Sequence, residues 1–188
     1  GILNPGTGTN GFTKIAPDLV GSYSVQDLRK QVYFKQNTGA DAGTYRFTGS
    51  YGQLPSLPGF FEGIAVDEVY LTRAECYARL GNVTDALKDL NTLLKTRFVN
   101  TSSNPYVPVT ATDATKALSI ILAERKKELV MRGLRWTDLR RLNLDPATAV
   151  TWQRVANGIT YTLPPNDLRY TMLIPMDVIS MGNVAQNP

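Results

Sequence analysis

No histidine occurs anywhere in the 188 residues. That absence excludes a Ser-His-Asp triad, histidine acid–base chemistry and nearly all zinc sites. Cysteine is almost as scarce, with Cys76 alone. One thiol cannot close an internal disulfide, and a cysteine nucleophile would lack its usual imidazole base. Beside Tyr77 and near Ala74, Cys76 is expected to be a small core or half-buried residue. No run of about 18 apolar residues is present, so no membrane-spanning helix is expected, and no signal peptide is legible. Charge of either sign is modest, with a net of only +4. Lys and Arg alternate with Asp and Glu in helical stretches, the pattern of a solvated helix surface. A nucleic-acid partner would want a denser basic stripe carrying aromatics, so none is expected.

What is present is an ordinary globular composition, 43% hydrophobic, in a chain long enough for one domain with a sizeable core. The most organised stretch is Asp67 to Arg97, two amphipathic helices separated at Gly81-Asn82. Val69, Tyr70, Ala74 and Tyr77 are expected on the inner stripe of the first, and Ala86, Leu87, Leu90, Leu93 and Leu94 on that of the second. Gly81 suits the left-handed residue that ends a helix. Thr84 is the expected cap of the second helix, with Asp85 at its positive end. So short a connection makes the helices antiparallel neighbours. Ala74, Tyr77, Gly81, Ala86, Leu90 and Leu93 follow the spacing of a tetratricopeptide unit, and a single such unit cannot cover its own outer faces.

The flanking segments are less regular. Residues 1–66 form a loop-rich segment with one helical turn at Val25–Arg29. Two β-type runs, Arg29–Lys35 and Thr44–Thr48, suggest a short hairpin around NTGADAG. Tyr45 and Phe47 then share a face opposite Arg46. Residues 49–63 are a Gly/Pro loop carrying Tyr51, Phe60 and Phe61. The two Phe are expected under the helices as a satellite core, whereas Tyr51 is as well suited to stacking on a ligand. Residues 67–143 form the helical core. After a Pro-containing linker, Thr112 or Asp113 starts a long helix with Leu118, Ile121, Leu122, Leu129 and Val130 near one face and a stop at Gly133. A shorter helix follows, around Trp136–Arg141 and capped by Asn143. Residues 144–188 are irregular, with extended pieces at 151–154, 159–163 and 170–175 and a last helical turn at Met176–Ser180. The fold class is therefore mainly α: a tetratricopeptide-like hairpin plus further helices, with long loops and a short β-hairpin.

Glu124 and Glu128, or Asp138 with either, have the carboxylate pairing of a glycosidase acid and base. Their spacing to basic residues points to structure instead. Glu124–Lys127 and Glu128–Arg132 are ion-pair spacings on a helix, and Arg135, Asp138, Arg140 and Arg141 are expected to join that network.

Four segments together resemble the C-terminal part of the SusD/RagB family. They are Asp67–Asn82 with its continuation through Arg97, Glu124–Leu129, Arg135–Arg141, and the close from Leu173-Ile174-Pro175 through Val178-Ile179 to Gln186-Asn187-Pro188. Arg132 and Leu134 depart from the pattern, standing where the family commonly has an acidic residue and a histidine. The resemblance implies a C-terminal portion of an outer-membrane surface lipoprotein, with the lipid anchor and further helices outside these residues. It implies no cofactor and no enzymatic activity. It further implies capture of oligosaccharides for a SusC-like TonB-dependent transporter. An alternative is a protein-interaction scaffold that contacts only the transporter, ligand binding lying elsewhere. If this chain holds glycan itself, Tyr51 is the first candidate for stacking, followed by Tyr45 and Trp152; Trp136, inside the structural segment, is expected in the core.

Overall fold

In the computed structural model of the chain, residues 14–49, 61 and 63–187 are described. The architecture is mainly helical with two small antiparallel hairpins. By contacts the chain divides into two compact units, Gly1–Gly133 and Leu134–Pro188.

The first unit opens with α1 (Pro17–Gly21) and α2 (Arg29–Tyr33), then β1 (Phe34–Gln36) and β2 (Tyr45–Phe47). Arg29–Lys35 was expected to be β-type throughout, but its first five residues are helical and only the end pairs with β2. The reason is tertiary, because Arg29 is 2% exposed and its side chain is held by groups far along the chain. The β1–β2 register sets Phe34 against Phe47 and Gln36 against Tyr45. Phe34 joins Ile15, Val20 and Tyr23 in a small aromatic-rich core, with Tyr45, Phe47, Val130 and Met131 packed on it. Arg46 turns the other way and donates to the Gln36 carbonyl at 3.1 Å and Asn37 Oδ1 at 3.0 Å.

The main core is three helices: α3 (Val66–Arg79), α4 (Val83–Leu94) and α5 (Ala114–Glu128). Helix α3 packs on both others. Ala74, Ala86 and Ala117 are fully buried, as are Leu71, Leu90 and Ile121. Small side chains let the backbones approach, and the large ones fill the space beside them. The hairpin is as the spacing predicts, with Gly81 at φ 79° in the turn. Its inner stripe on α3 is rotated, however. Asp67, Leu71, Ala74, Glu75 and Ala78 are buried, whereas Val69 is exposed and Tyr70 and Tyr77 only half-buried. Buried Asp67 and Glu75 have charged partners, Arg132 at 3.6 Å and Arg79 at 2.9 Å. Polar positions could thus lie inward, which hydropathy alone does not anticipate. Cys76 falls on the outer face and is exposed.

Capping differs by two residues from expectation. Asn82, not Thr84, caps α4, its Oδ1 accepting from Asp85 N at 3.1 Å. Arg73 clamps α3 to α4 through a bidentate pair with Asp89 at 2.6 and 2.7 Å. Asn91 on α4 ties down the linker, accepting from Tyr106 Oη (2.6 Å) and Val109 N (2.7 Å) and donating to the Val109 carbonyl (2.9 Å). Asp113 caps α5 by accepting from Lys116 N at 2.8 Å. Helix α5 ends at Glu128, before Gly133, and turns through Met131 at φ 59°. Its inward face is Ala117, Ile121, Glu124, Arg125 and Glu128, while Leu118 and Leu122 are half-buried.

The second unit comprises α6 (Arg135–Leu142), the hairpin β3 (Trp152–Ala156) and β4 (Ile159–Leu163), a single 3-10 turn at Leu168–Tyr170, and α7 (Met176–Gly182). Two separate extended pieces were expected at 151–154 and 159–163. They pair around Asn157 and Gly158, at φ 51° and 74°, the conformation a two-residue hairpin turn needs. Tyr170, expected in an extended piece, closes the 3-10 turn and is 4% exposed. None of the described helices is long and apolar enough to cross a membrane.

Candidate functional site

Among the described residues, chemically capable side chains come together at several places, each within one unit. The first is the buried charge cluster of the 1–133 unit. Arg29 reaches Asp27 through Nε (2.8 Å) and Nη2 (2.7 Å), Glu124 through Nη2 (2.7 Å) and Glu128 through Nη1 (3.0 Å). The other Glu128 oxygen accepts from Arg97 Nε at 2.7 Å, and the other Glu124 oxygen pairs with Lys127. Tyr23 Oη donates to the Lys127 carbonyl at 2.7 Å, and its ring lies 5.6 Å from the Arg29 guanidinium carbon. Burial opposes the charge on Arg29. The hydrogen bonds to Asp27 and the fields of Glu124, Asp27 and Glu128 outweigh it and raise its pKa above the ordinary guanidinium value. Burial raises the Tyr23 phenol, against Arg29.

Both glutamates are therefore engaged at both oxygens. Carboxylates paired in this way balance buried cations, the structural role that their ion-pair spacing points to. The helix-spacing pair Glu128–Arg132 is replaced by Glu128 with Arg29 and Arg97. Because α5 ends at Glu128, Arg132 leaves the helix face and donates to the Gly63 carbonyl at 2.7 Å. Within the 134–188 unit, Arg141 Nε donates to Asp138 Oδ1 at 2.9 Å. Burial lowers the pKa of Arg135, against Asp138 and Tyr170.

The second place is a mostly apolar cavity of about 330 Å³ beside that cluster, walled by Val32, Tyr33, Phe47, Phe61, Val130 and Met131. Gly49 stands at its rim, and a Cβ there would come 2.8 Å from Tyr33 Cδ1. Phe61 is 36% exposed and faces the Arg132 guanidinium at 4.7 Å, so it carries a cation instead of lying under the helices. Phe60 and Tyr51 lie outside the described residues. Tyr45 is half-buried against the small aromatic core.

The third place is the hairpin of the 134–188 unit. Its register sets Trp152 opposite Leu163 and Arg154 opposite Tyr161. Trp152, Arg154 and Tyr161 therefore share one face. Trp152 is 46% exposed and Tyr161 55%. Trp152 leans on Trp136 with ring centroids 6.0 Å apart, and Trp136 on Tyr170 at 5.1 Å. Trp136 Nε1 donates to the Tyr170 carbonyl at 3.2 Å. Trp136 is thus half-buried backing, and Trp152 is its open end. The sequence supplied Trp152 but not its companions Arg154 and Tyr161. The Asn157-Gly158 turn was the signal that pairs them.

The model of the SusD family matches residues 67–178, and the chain belongs to that family. A SusD-like protein of Formosa agariphila is 34% identical over 96 residues, half of this chain and 18% of the relative. Among solved structures, a SusD-like carbohydrate binding protein of Bacteroides vulgatus aligns with a TM-score of 0.61 at 23% identity, covering 90% of this chain and 40% of its own. A SusD superfamily protein of Bacteroides fragilis aligns at 0.63 and 18% identity, covering 99% and 42%. These two likenesses concern the fold. The chain spans less than half the length of each of these three relatives.

Proposed function

We propose that this chain is the C-terminal portion of a non-enzymatic surface protein that captures oligosaccharides and delivers them to a SusC-like TonB-dependent transporter. The parent is held at the extracellular face of the outer membrane by a lipid anchor outside these residues. Membership of the SusD family carries this reading, and the carbohydrate-binding description of the Bacteroides vulgatus relative supports it. Within the chain, the Trp152–Arg154–Tyr161 face suits a sugar. A half-exposed indole offers an apolar plane for a pyranose face, at little entropic cost because Trp136 already backs it. Tyr51 remains a second stacking candidate, and Tyr45 a third.

Isothermal titration with a panel of neutral and acidic oligosaccharides tests the proposal. Binding without turnover is the expected result, and hydrolysis of any panel member by the purified chain would overturn the non-enzymatic reading. Tyr51→Ala is expected to weaken binding by about 1–3 kcal/mol, the range for an aromatic anchor; an unchanged affinity removes that residue.

A protein-contact scaffold is the second reading, favoured by the exposed Val66 and Val69 on α3 and Leu80 at its C-terminal end. Substitutions there that abolish co-purification with the transporter while sparing glycan binding would assign that face to the partner.

A further inference from the structure

The 134–188 unit contains a groove of about 450 Å³ between α6 and the turn near Asn166–Thr171. Thr137, Arg140, Arg141 and Leu144 line one wall. Thr137, Arg140 and Arg141, three and four residues apart on α6, share a helix face, and Leu144 lies just past its end. The floor is fixed. Asn143 is 3% exposed, donates to Tyr170 Oη at 3.0 Å and accepts from Val150 N at 3.0 Å. The volume lies within the range of small-molecule sites, roughly 300–1,000 Å³.

The charges around this groove are not all compensated in the same way. Asp167, the carboxylate in the lining, is held bidentately by Arg169, Nε at 2.8 Å and Nη2 at 2.8 Å. Those hydrogen bonds, with one from the Arg169 backbone, bring its pKa down to about 2. Arg141 is engaged by Asp138 at 2.9 Å. Among the described residues, Arg140 makes no ion pair and no side-chain hydrogen bond. One guanidinium is therefore left to the groove, beside the amide of Asn166 and the hydroxyl of Thr171. Arginine's planar donor fork matches a carboxylate or a sulfate, and the amide and hydroxyl suit the hydroxyl groups of a sugar ring.

We infer that this groove is a subsite for an acidic sugar, with Arg140 binding its carboxylate or sulfate ester. The inference rests on the glycan-binding reading above and names its ligand class. Titration of the whole chain with tetragalacturonate and its fully methyl-esterified form tests it, alongside a sulfated galactan oligomer and its desulfated form. At low salt the acidic member of one pair is expected to bind roughly tenfold more tightly, as one charge-assisted bidentate contact predicts. The pair showing the preference identifies the anion. Arg140→Ala should bring the acidic probe to the affinity of its neutral counterpart, and Arg140→Lys should keep part of the preference. Equal binding within both pairs, or a preference that survives Arg140→Ala, overturns this inference and leaves glycan binding standing. Failure of all four probes to bind overturns both.

Discussion

The two units treat charge and aromatic surface in opposite ways. In the 1–133 unit, Asp27, Glu124 and Glu128 are buried and face Arg29, Arg97 and Lys127. In the 134–188 unit, Arg140 and Arg154 lie at the surface, and Trp152 and Tyr161 are about half exposed. A buried charge must be matched where it lies, because the low-dielectric interior penalises an orphan heavily. Its partners are then committed and have nothing left for a ligand. Exposed arginines and aromatics owe less to stability and retain their donors and faces for binding. The same residue types thus serve cohesion in one unit and are open to recognition in the other.

The largest break in that comparison should come from Arg29→Ala. It removes the cation shared by three buried carboxylates, and a loss of about 3–5 kcal/mol is expected in denaturant unfolding. A loss under about 1 kcal/mol would show that the cluster is not what joins the N-terminal segment to α5. Leu90→Ala, at a fully buried contact between helices, should cost about 2–4 kcal/mol, with the upper end expected if the surrounding alanines prevent collapse. Trp152→Ala is expected to separate the two properties, weakening oligosaccharide binding by about 1–3 kcal/mol and changing stability by less than about 1 kcal/mol. Equal losses in titration and in melting would assign Trp152 to the core. Asn82→Ala should have the smallest effect, about 1 kcal/mol in thermal unfolding, from the lost cap of α4.

Much of the fold was legible because it is local. The α3–α4 hairpin, its glycine turn, the Asp113 cap and the β1–β2 hairpin each rest on neighbours within a few residues. The errors arise where distant groups decide. Glu124 and Glu128 were recognisable as a pair at helical spacing, yet their shared cation is Arg29, 95 and 99 residues away. That contact also explains why residues 29–33 are helical although the segment was expected to be β-type. The α3 stripe was misplaced for a related reason. Asp67 and Glu75 could turn inward only because Arg132 and Arg79 meet them, leaving Val69 outside. At the candidate site, Trp152 stood out by residue type, but a face is a property of register. The Asn157-Gly158 turn that sets it was present in the sequence and unread.

By itself the sequence determined the absence of histidine chemistry and of any internal disulfide, the mainly helical class, and the helical hairpin, since composition and short-range periodicity settle these. Tertiary structure alone decided which carboxylates became buried partners of Arg29, which face of α3 turned inward, and which arginines and aromatics stayed open. Those outcomes depend on groups that burial brings together across the chain, and their separation in sequence carries no periodic signal.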